Sequence, residues 1–298
     1  MKSNYYLIIL LFLLLPLVLA LAYSSGHAKS LSAKAEKTIG LNYYYGRNGF
    51  KRNYFKAVYW FRKAAEQGNA NAMFDLGYAY YYGRGVKQNY FKAVYWFRKA
   101  SDQGNAIAQV YLGNAYNYGQ GVAQNYFMAA YWYKKAAVQG NADAQFDLGN
   151  AYWLGRGIKR NYSKAVYWYK KAAKQGNADA QYNLGAAYIV GHGIKQNYSK
   201  AVYWFRKAVA HGNADAQDYL GLAYWLGHGV KQNYYKAVYW FRKAAVRGNA
   251  EAQFNLGSAY YLGHGIKQNY SKAVYWLKKA AAQGNPEAKA ILNKIEHR

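Results

Sequence analysis

The sequence predicts an all-α fold, a solenoid of antiparallel helix pairs. Three observations lead to it. Gly-Asn pairs begin at Gly68, Gly104, Gly140, Gly176, Gly212, Gly248 and Gly284, a spacing of 36 residues that suits a helical repeat. Every period carries two separate sets of helix start and stop signals. The chain holds only two prolines and no shift of composition between periods, so the repeats read as one elongated domain without linkers.

Taken in order, the chain opens with Met1-Lys2-Ser3-Asn4 and an apolar run from Tyr5 to Ala22. One lysine, a leucine-rich centre and Ala20-Leu21-Ala22 as a small-x-small site read as a secretory signal peptide over residues 1–22. Gly26-His27-Ala28 offers a second cleavage site, and an uncleaved N-terminal membrane anchor is the rival reading. No cysteine follows, so a lipid anchor on an N-terminal cysteine is excluded. Export permits disulfides, but this chain has none and must hold itself by packing. Residues 23–31 form a short polar lead-in. Residues 32–284 then hold seven repeats, and 285–298 a C-terminal capping helix.

The first repeat places its A helix near Ser32 to Tyr45 and its B helix near Tyr54 to Gln67. Gly40 and Gly77 are 37 residues apart because Asn48 is an extra residue in the Gly46-Arg47-Asn48-Gly49 turn. Lys34 and Lys37 suit a polar cap on an open end.

The second repeat shows the pattern most fully. Gly68 suits a left-handed C-cap, and Asn69 caps an A helix over roughly Ala70 to Tyr82. In the last copy Pro286 stands one residue past the cap, the helical position where proline does no harm. The next position holds Asp143, Asp179, Asp215, Glu251 or Glu287, and an acid there faces the positive end of the helix dipole. Gly77 and its equivalents lie mid-helix at a cost of about 1 kcal/mol against alanine. A glycine repeated so regularly predicts a second helix crossing too closely for a side chain. Gly83 and Gly85 form the turn, and Asn89 caps the B helix. There Ala93, Trp96, Phe97 and Ala100 share one stripe. Trp60, Trp96, Trp132, Trp168, Trp204, Trp240 and Trp276 count seven B helices, and Pro286 to about Glu296 is a partnerless A-type helix.

These residues resemble the Sel1-like repeat family, relatives of the tetratricopeptide repeats. The matching pattern is Ala72 to Tyr80 (Ala-x-x-x-Leu-Gly-x-x-Tyr), then Gly227 to Val230, Lys236 to Trp240 and Lys243 to Gly248. The resemblance covers nearly everything after residue 32. It implies a right-handed superhelix, a role as scaffold or adaptor, and a concave groove lined by the A helices. Cysteine-rich secreted relatives staple each helix pair, so activities proposed for them transfer less safely to this cysteine-free chain.

Recognition is expected where the copies differ. The position of Tyr81 becomes Asn117, Trp153, Ile189, Trp225 and Tyr261. That of Tyr78 becomes Asn114, Asn150, Ala186, Leu222 and Ser258, and that of Phe74 becomes Val110, Phe146, Tyr182, Asp218 and Phe254. Spacings of three and four put these on one face of the A helix, with Tyr111 and Tyr219 beside them. Aromatics among small polar residues suit the centre of a protein interface. The competing reading is that Trp153 and Trp225 only fill space between successive repeats.

Forty Lys and Arg against twelve Asp and Glu give a net charge of +28. Lys87, Lys159, Lys195, Lys231 and Lys267 recur in the turns, Lys92, Lys164, Lys200, Lys236 and Lys272 early in the B helices, and Arg98, Arg206 and Arg242 later. Periodicity makes rows of them, which suit an acidic protein, an anionic glycan or lipid head groups. Nucleic acid fits poorly with export and with the lack of a nucleic-acid-binding motif.

No enzyme is predicted, and no cofactor. Asp75, Asp143, Asp147, Asp179, Asp215 and Asp218 fall at helix starts or singly along A helices, and no pair forms an acid and base. His192, His228 and His264 hold one turn position in successive repeats, about 10 Å apart at least, too far to share a metal. They read as surface turn residues. A β-lactamase-like hydrolase is the weakest reading, since Ser-x-x-Lys is absent.

Overall fold

The computed structural model describes residues 31–296, and the predicted signal peptide lies outside them. Every regular element among the described residues is a helix. The A helices are α1 (Ala33–Tyr45), α3 (Ala70–Tyr82), α5 (Ala106–Tyr118), α7 (Ala142–Leu154), α9 (Ala178–Val190), α11 (Ala214–Leu226), α13 (Ala250–Leu262) and α15 (Pro286–Glu296). The B helices are α2 (Tyr54–Glu66), α4 (Tyr90–Asp102), α6 (Tyr126–Val138), α8 (Tyr162–Lys174), α10 (Tyr198–Ala210), α12 (Tyr234–Val246) and α14 (Tyr270–Ala282). They fall into two compact units parted between Ala136 and Ala137. Within each, an A helix packs antiparallel on its own B helix, and the B helix packs on the next A helix. This is an α-solenoid of helix pairs.

The caps set the boundaries. Asn69 accepts a hydrogen bond from the Ala72 amide at 2.9 Å, and Asn89 accepts one from the Lys92 amide at 2.9 Å. Gly83 closes α3 at φ 70°, and Gly68 follows α2 at φ 89°, conformations that only glycine adopts cheaply. Asn48, the extra residue of the first turn, also takes a positive φ, 53°.

The mid-helix glycine is explained by the helix it faces. A Cβ on Gly77 would stand 2.7 Å from the Phe97 ring and 3.2 Å from the Ala93 carbonyl. Phe61, Phe97, Tyr169, Phe205, Phe241 and Leu277 repeat this contact and are among the largest fully buried side chains. This revises the predicted B-helix stripe. Ala93, Phe97 and Ala100 are buried, whereas Trp96 is half-buried, as are Trp60, Trp168, Trp204, Trp240 and Trp276. One residue of offset turns a side chain by about 100°, which carries the indole to the stripe's edge. Trp132 alone among these is buried, at 6% exposure.

Polar ladders join successive repeats. Buried Gln145 donates to the Ala137 carbonyl at 3.1 Å and accepts from Gln175 at 2.9 Å. The capping asparagines reach back as well: Asn177 donates to Asp143, Asn213 to Asp179, Asn249 to Asp215 and Asn285 to Glu251, at 2.6–3.2 Å. The helix-start acids therefore act beyond their own helix dipole. They fix the next repeat's cap.

Candidate functional site: the A-helix face

All residues predicted to line the groove are half-buried in their own unit. In the first unit the Phe74, Tyr78 and Tyr81 rings gather around Tyr111, with ring centroids 5.5–5.9 Å apart. Asp75 and Arg84 join Phe74, Tyr78 and Tyr111 in lining a cavity of about 440 Å³. The Arg84 guanidinium donates to the Tyr44 hydroxyl and lies over the Tyr44, Tyr78 and Tyr82 rings. Asp75 stands 3.7 Å from Lys37, yet burial holds its pKa up at about 6. Asn114 accepts from the Tyr133 hydroxyl at 2.7 Å.

In the second unit the two tryptophans sit in matching boxes. Trp153 meets Tyr162 edge-on at 4.9 Å and His192 at 5.9 Å, while His192 stacks on Tyr162 at 4.8 Å. Trp225 meets Tyr234 at 4.8 Å and His264 at 5.7 Å, and His264 stacks on Tyr234 at 4.9 Å. Tyr169 donates to Asn150 at 2.7 Å, and Asn183 donates to the same oxygen at 3.1 Å. Tyr182 and Tyr219 meet at 5.7 Å beside Phe205. Burial and neighbouring acids raise the pKa values of Asp147 to about 7 and Asp218 to about 6, and Asn255 donates to Asp218.

The turn residues are what the sequence reading missed. His192 and His264 are exposed, as predicted for surface turns, but each packs on the preceding repeat. The same turn position supplies Gln120, which accepts from the Tyr81 hydroxyl at 2.6 Å, and Arg84, which bonds Tyr44. A second brace is the glutamine before the B-helix cap in five of the seven repeats, Arg52 and Arg160 standing there in the other two. Gln232 donates to the Trp225 carbonyl at 2.8 Å and to the Tyr234 hydroxyl at 3.0 Å. The signal was available within the one chain: Tyr44 goes with Arg84, Tyr81 with Gln120, and Trp153 and Trp225 with histidines, at offsets of 39 or 40 residues.

The predicted basic rows are partly engaged. Lys92, Lys164, Lys200, Lys236 and Lys272 lie 5.5–5.8 Å over A-helix tyrosine rings. Arg98 and Arg206 donate to the Tyr116 and Tyr224 hydroxyls. The turn lysines Lys87, Lys159, Lys195, Lys231 and Lys267 are exposed. Among the described residues no group of three or more His, Cys, Asp or Glu could hold a metal, and the chain has no cysteine. No described helix is long and apolar enough to cross a membrane.

The family described as Sel1 repeat matches seven consecutive stretches: residues 38–69, 70–105, 106–141, 142–177, 178–213, 214–249 and 250–285. The chain belongs to the Sel1 repeat family. Its structure is similar to that of c5321, a protective antigen present in uropathogenic Escherichia coli strains and displaying an SLR fold, at 37% identity and a TM-score of 0.83. That match covers 89% of this chain and 57% of the E. coli protein, so the chain spans little more than half of that relative. A Sel1 repeat protein from Oxalobacter formigenes is 35% identical with a TM-score of 0.71, over 88% of this chain and 76% of that one. No curated protein matches. The chain is a Sel1 repeat scaffold whose aromatic-lined surfaces are capable of protein interaction.

Proposed function

We propose that the chain is an exported, non-catalytic adaptor that binds a protein partner along the A-helix face, at a host interface or in envelope assembly. One observation carries this reading. Positions that pack the repeats are nearly invariant from copy to copy, whereas the combination of residues at the positions of Phe74, Tyr78 and Tyr81, mostly half-buried, differs in each of the six copies compared. Part of that variation is matched by the turn residue packed against it, as Tyr81 is by Gln120 and Trp153 by His192. The side chains nevertheless stay partly accessible, and a varied accessible face supports recognition of something outside the stack. Export is supported by the leader-like residues 1–22 and by a relative described as a protective antigen.

A second reading rests on the B helices. Tyr59, Tyr95, Tyr131, Tyr167, Tyr203, Tyr239 and Tyr275 are about half exposed, and each has a lysine over its ring, as with Lys99 at 4.8 Å from Tyr95. Such rows suit an anionic polysaccharide. Affinity capture by the full chain from envelope and host-cell extracts, at low and high salt, separates the two. A discrete protein retained at high salt supports the adaptor. Glycans alone, lost as salt rises, support the polysaccharide reading and defeat the first.

A further inference from the structure

The second unit leaves one aromatic box unfilled. The position occupied by Trp153 and Trp225 in the flanking repeats is Ile189 in the repeat between them. The box is otherwise intact, with His228 against Tyr198 at 4.6 Å and Phe205 beneath. Trp225 fills its own box by meeting Tyr234, Phe241 and His264 within 6 Å. Isoleucine is too short to do so. The space left is a cavity of about 130 Å³ among Ile189, Tyr198, Phe205, Tyr219, Leu222 and His228.

We propose that this cavity at Ile189 is a side-chain pocket for an aromatic residue, phenylalanine or tyrosine, carried in an acidic segment of the partner protein. The inference rests on the adaptor reading and names what that face would grip. Size fixes the ring, since apolar cavities of about 150 Å³ hold benzene. Chemistry favours a ring over water: Ala201, Val202 and Leu226 complete a mostly hydrocarbon lining, and the Tyr198 hydroxyl already accepts from Gln196 at 3.1 Å. Water that finds few polar partners is displaced by an apolar ring at a gain in affinity. Charge on the nearby turns favours acidic flanks. The turns bearing His192 and His228 carry exposed Lys195 and Lys231, and acids beside the ring complement them. An aromatic anchor in a desolvated pocket ringed by polar contacts is the usual centre of a binding energy hot spot.

The test uses the full chain with two probes: p-cresol, and an acetylated pentapeptide with a central phenylalanine between pairs of glutamates. Binding is read by saturation-transfer NMR and calorimetry. The wild type is expected to bind one peptide, more tightly at low salt. Ile189→Trp, a residue the flanking repeats already accommodate, should weaken both probes at least tenfold. Trp225→Ile should open a second site and raise the stoichiometry to two. Failure of the wild type to bind either probe, or equal binding by I189W, overturns the pocket. Should I189W misfold, unchanged stoichiometry in W225I overturns it. Because the probes report on the cavity alone, their failure beside successful protein capture sinks this inference and leaves the adaptor reading standing.

Discussion

The Phe97 ring occupies the space that a side chain on Gly77 would need, 2.7 Å from where its Cβ would stand. This contact sets how closely an A helix approaches its B helix, and it recurs at Gly40 with Phe61, Gly149 with Tyr169 and Gly221 with Phe241. Gly77→Ala should therefore destabilise the first unit by roughly 1–3 kcal/mol through overpacking, although alanine is intrinsically the better helix former by about 1 kcal/mol. Urea denaturation followed by circular dichroism measures it. A rise in the midpoint would show that the helices separate freely at this point.

Phe97→Ala removes the other partner, which is fully buried. A loss of roughly 3–5 kcal/mol is expected. Trp168→Ala should cost clearly less, because that indole is half-buried at the edge of the same stripe. Thermal melts of the two variants rank them directly, and the reverse order would contradict the placement of the core.

Gln145, buried at 3% exposure, ties the Ala137 carbonyl to Gln175 of the same repeat pair. Gln145→Leu keeps the volume but strips both hydrogen bonds, for an expected loss of about 1–3 kcal/mol. Hydrogen exchange at the amides of α7 and α8 should accelerate. Protection equal to the wild type would mean that the ladder adds nothing beyond apolar packing.

Asp147 and Asp218 give a pH dependence. Burial lifts their folded pKa values to about 7 and about 6, above the usual carboxylate value of 3.8. The folded state then binds more protons than the unfolded one between about pH 4 and pH 7, and stability falls as pH rises through that window. Asp147→Asn, which mimics the protonated form, should raise the melting temperature at pH 8, with a benefit that shrinks towards pH 4. No difference from the wild type at pH 8 would refute the burial cost.

Trp153→Ala with Trp225→Ala should weaken capture of a protein partner while helicity stays nearly intact. Both indoles also pack on Tyr162 or Tyr234 and on a histidine of the next turn, so a modest fall in midpoint is expected too. Loss of cooperative unfolding with partner capture unchanged would make both residues purely structural.

The sequence by itself determined the fold, because the 36-residue spacing of caps and glycines is a local property. Asn69 and Asn89 start helices, Gly68 and Gly83 end them, and the regular Gly77 position announces a close crossing. It also marked the variable A-helix face through Trp153, Ile189 and Trp225. Tertiary structure decided what spacing within one helix cannot reach. Trp96 and Phe97 are equally apolar, and only the position of Gly77 on the facing helix makes the phenylalanine the core. Asp143 was legible as a helix-dipole acid, but its bond to Asn177 joins residues one repeat apart. His192 looked like a plain turn residue until the stack laid it on Tyr162. The cavity at Ile189 is the clearest case, since an absent indole leaves a space only when the walls around it are held in place by neighbouring repeats.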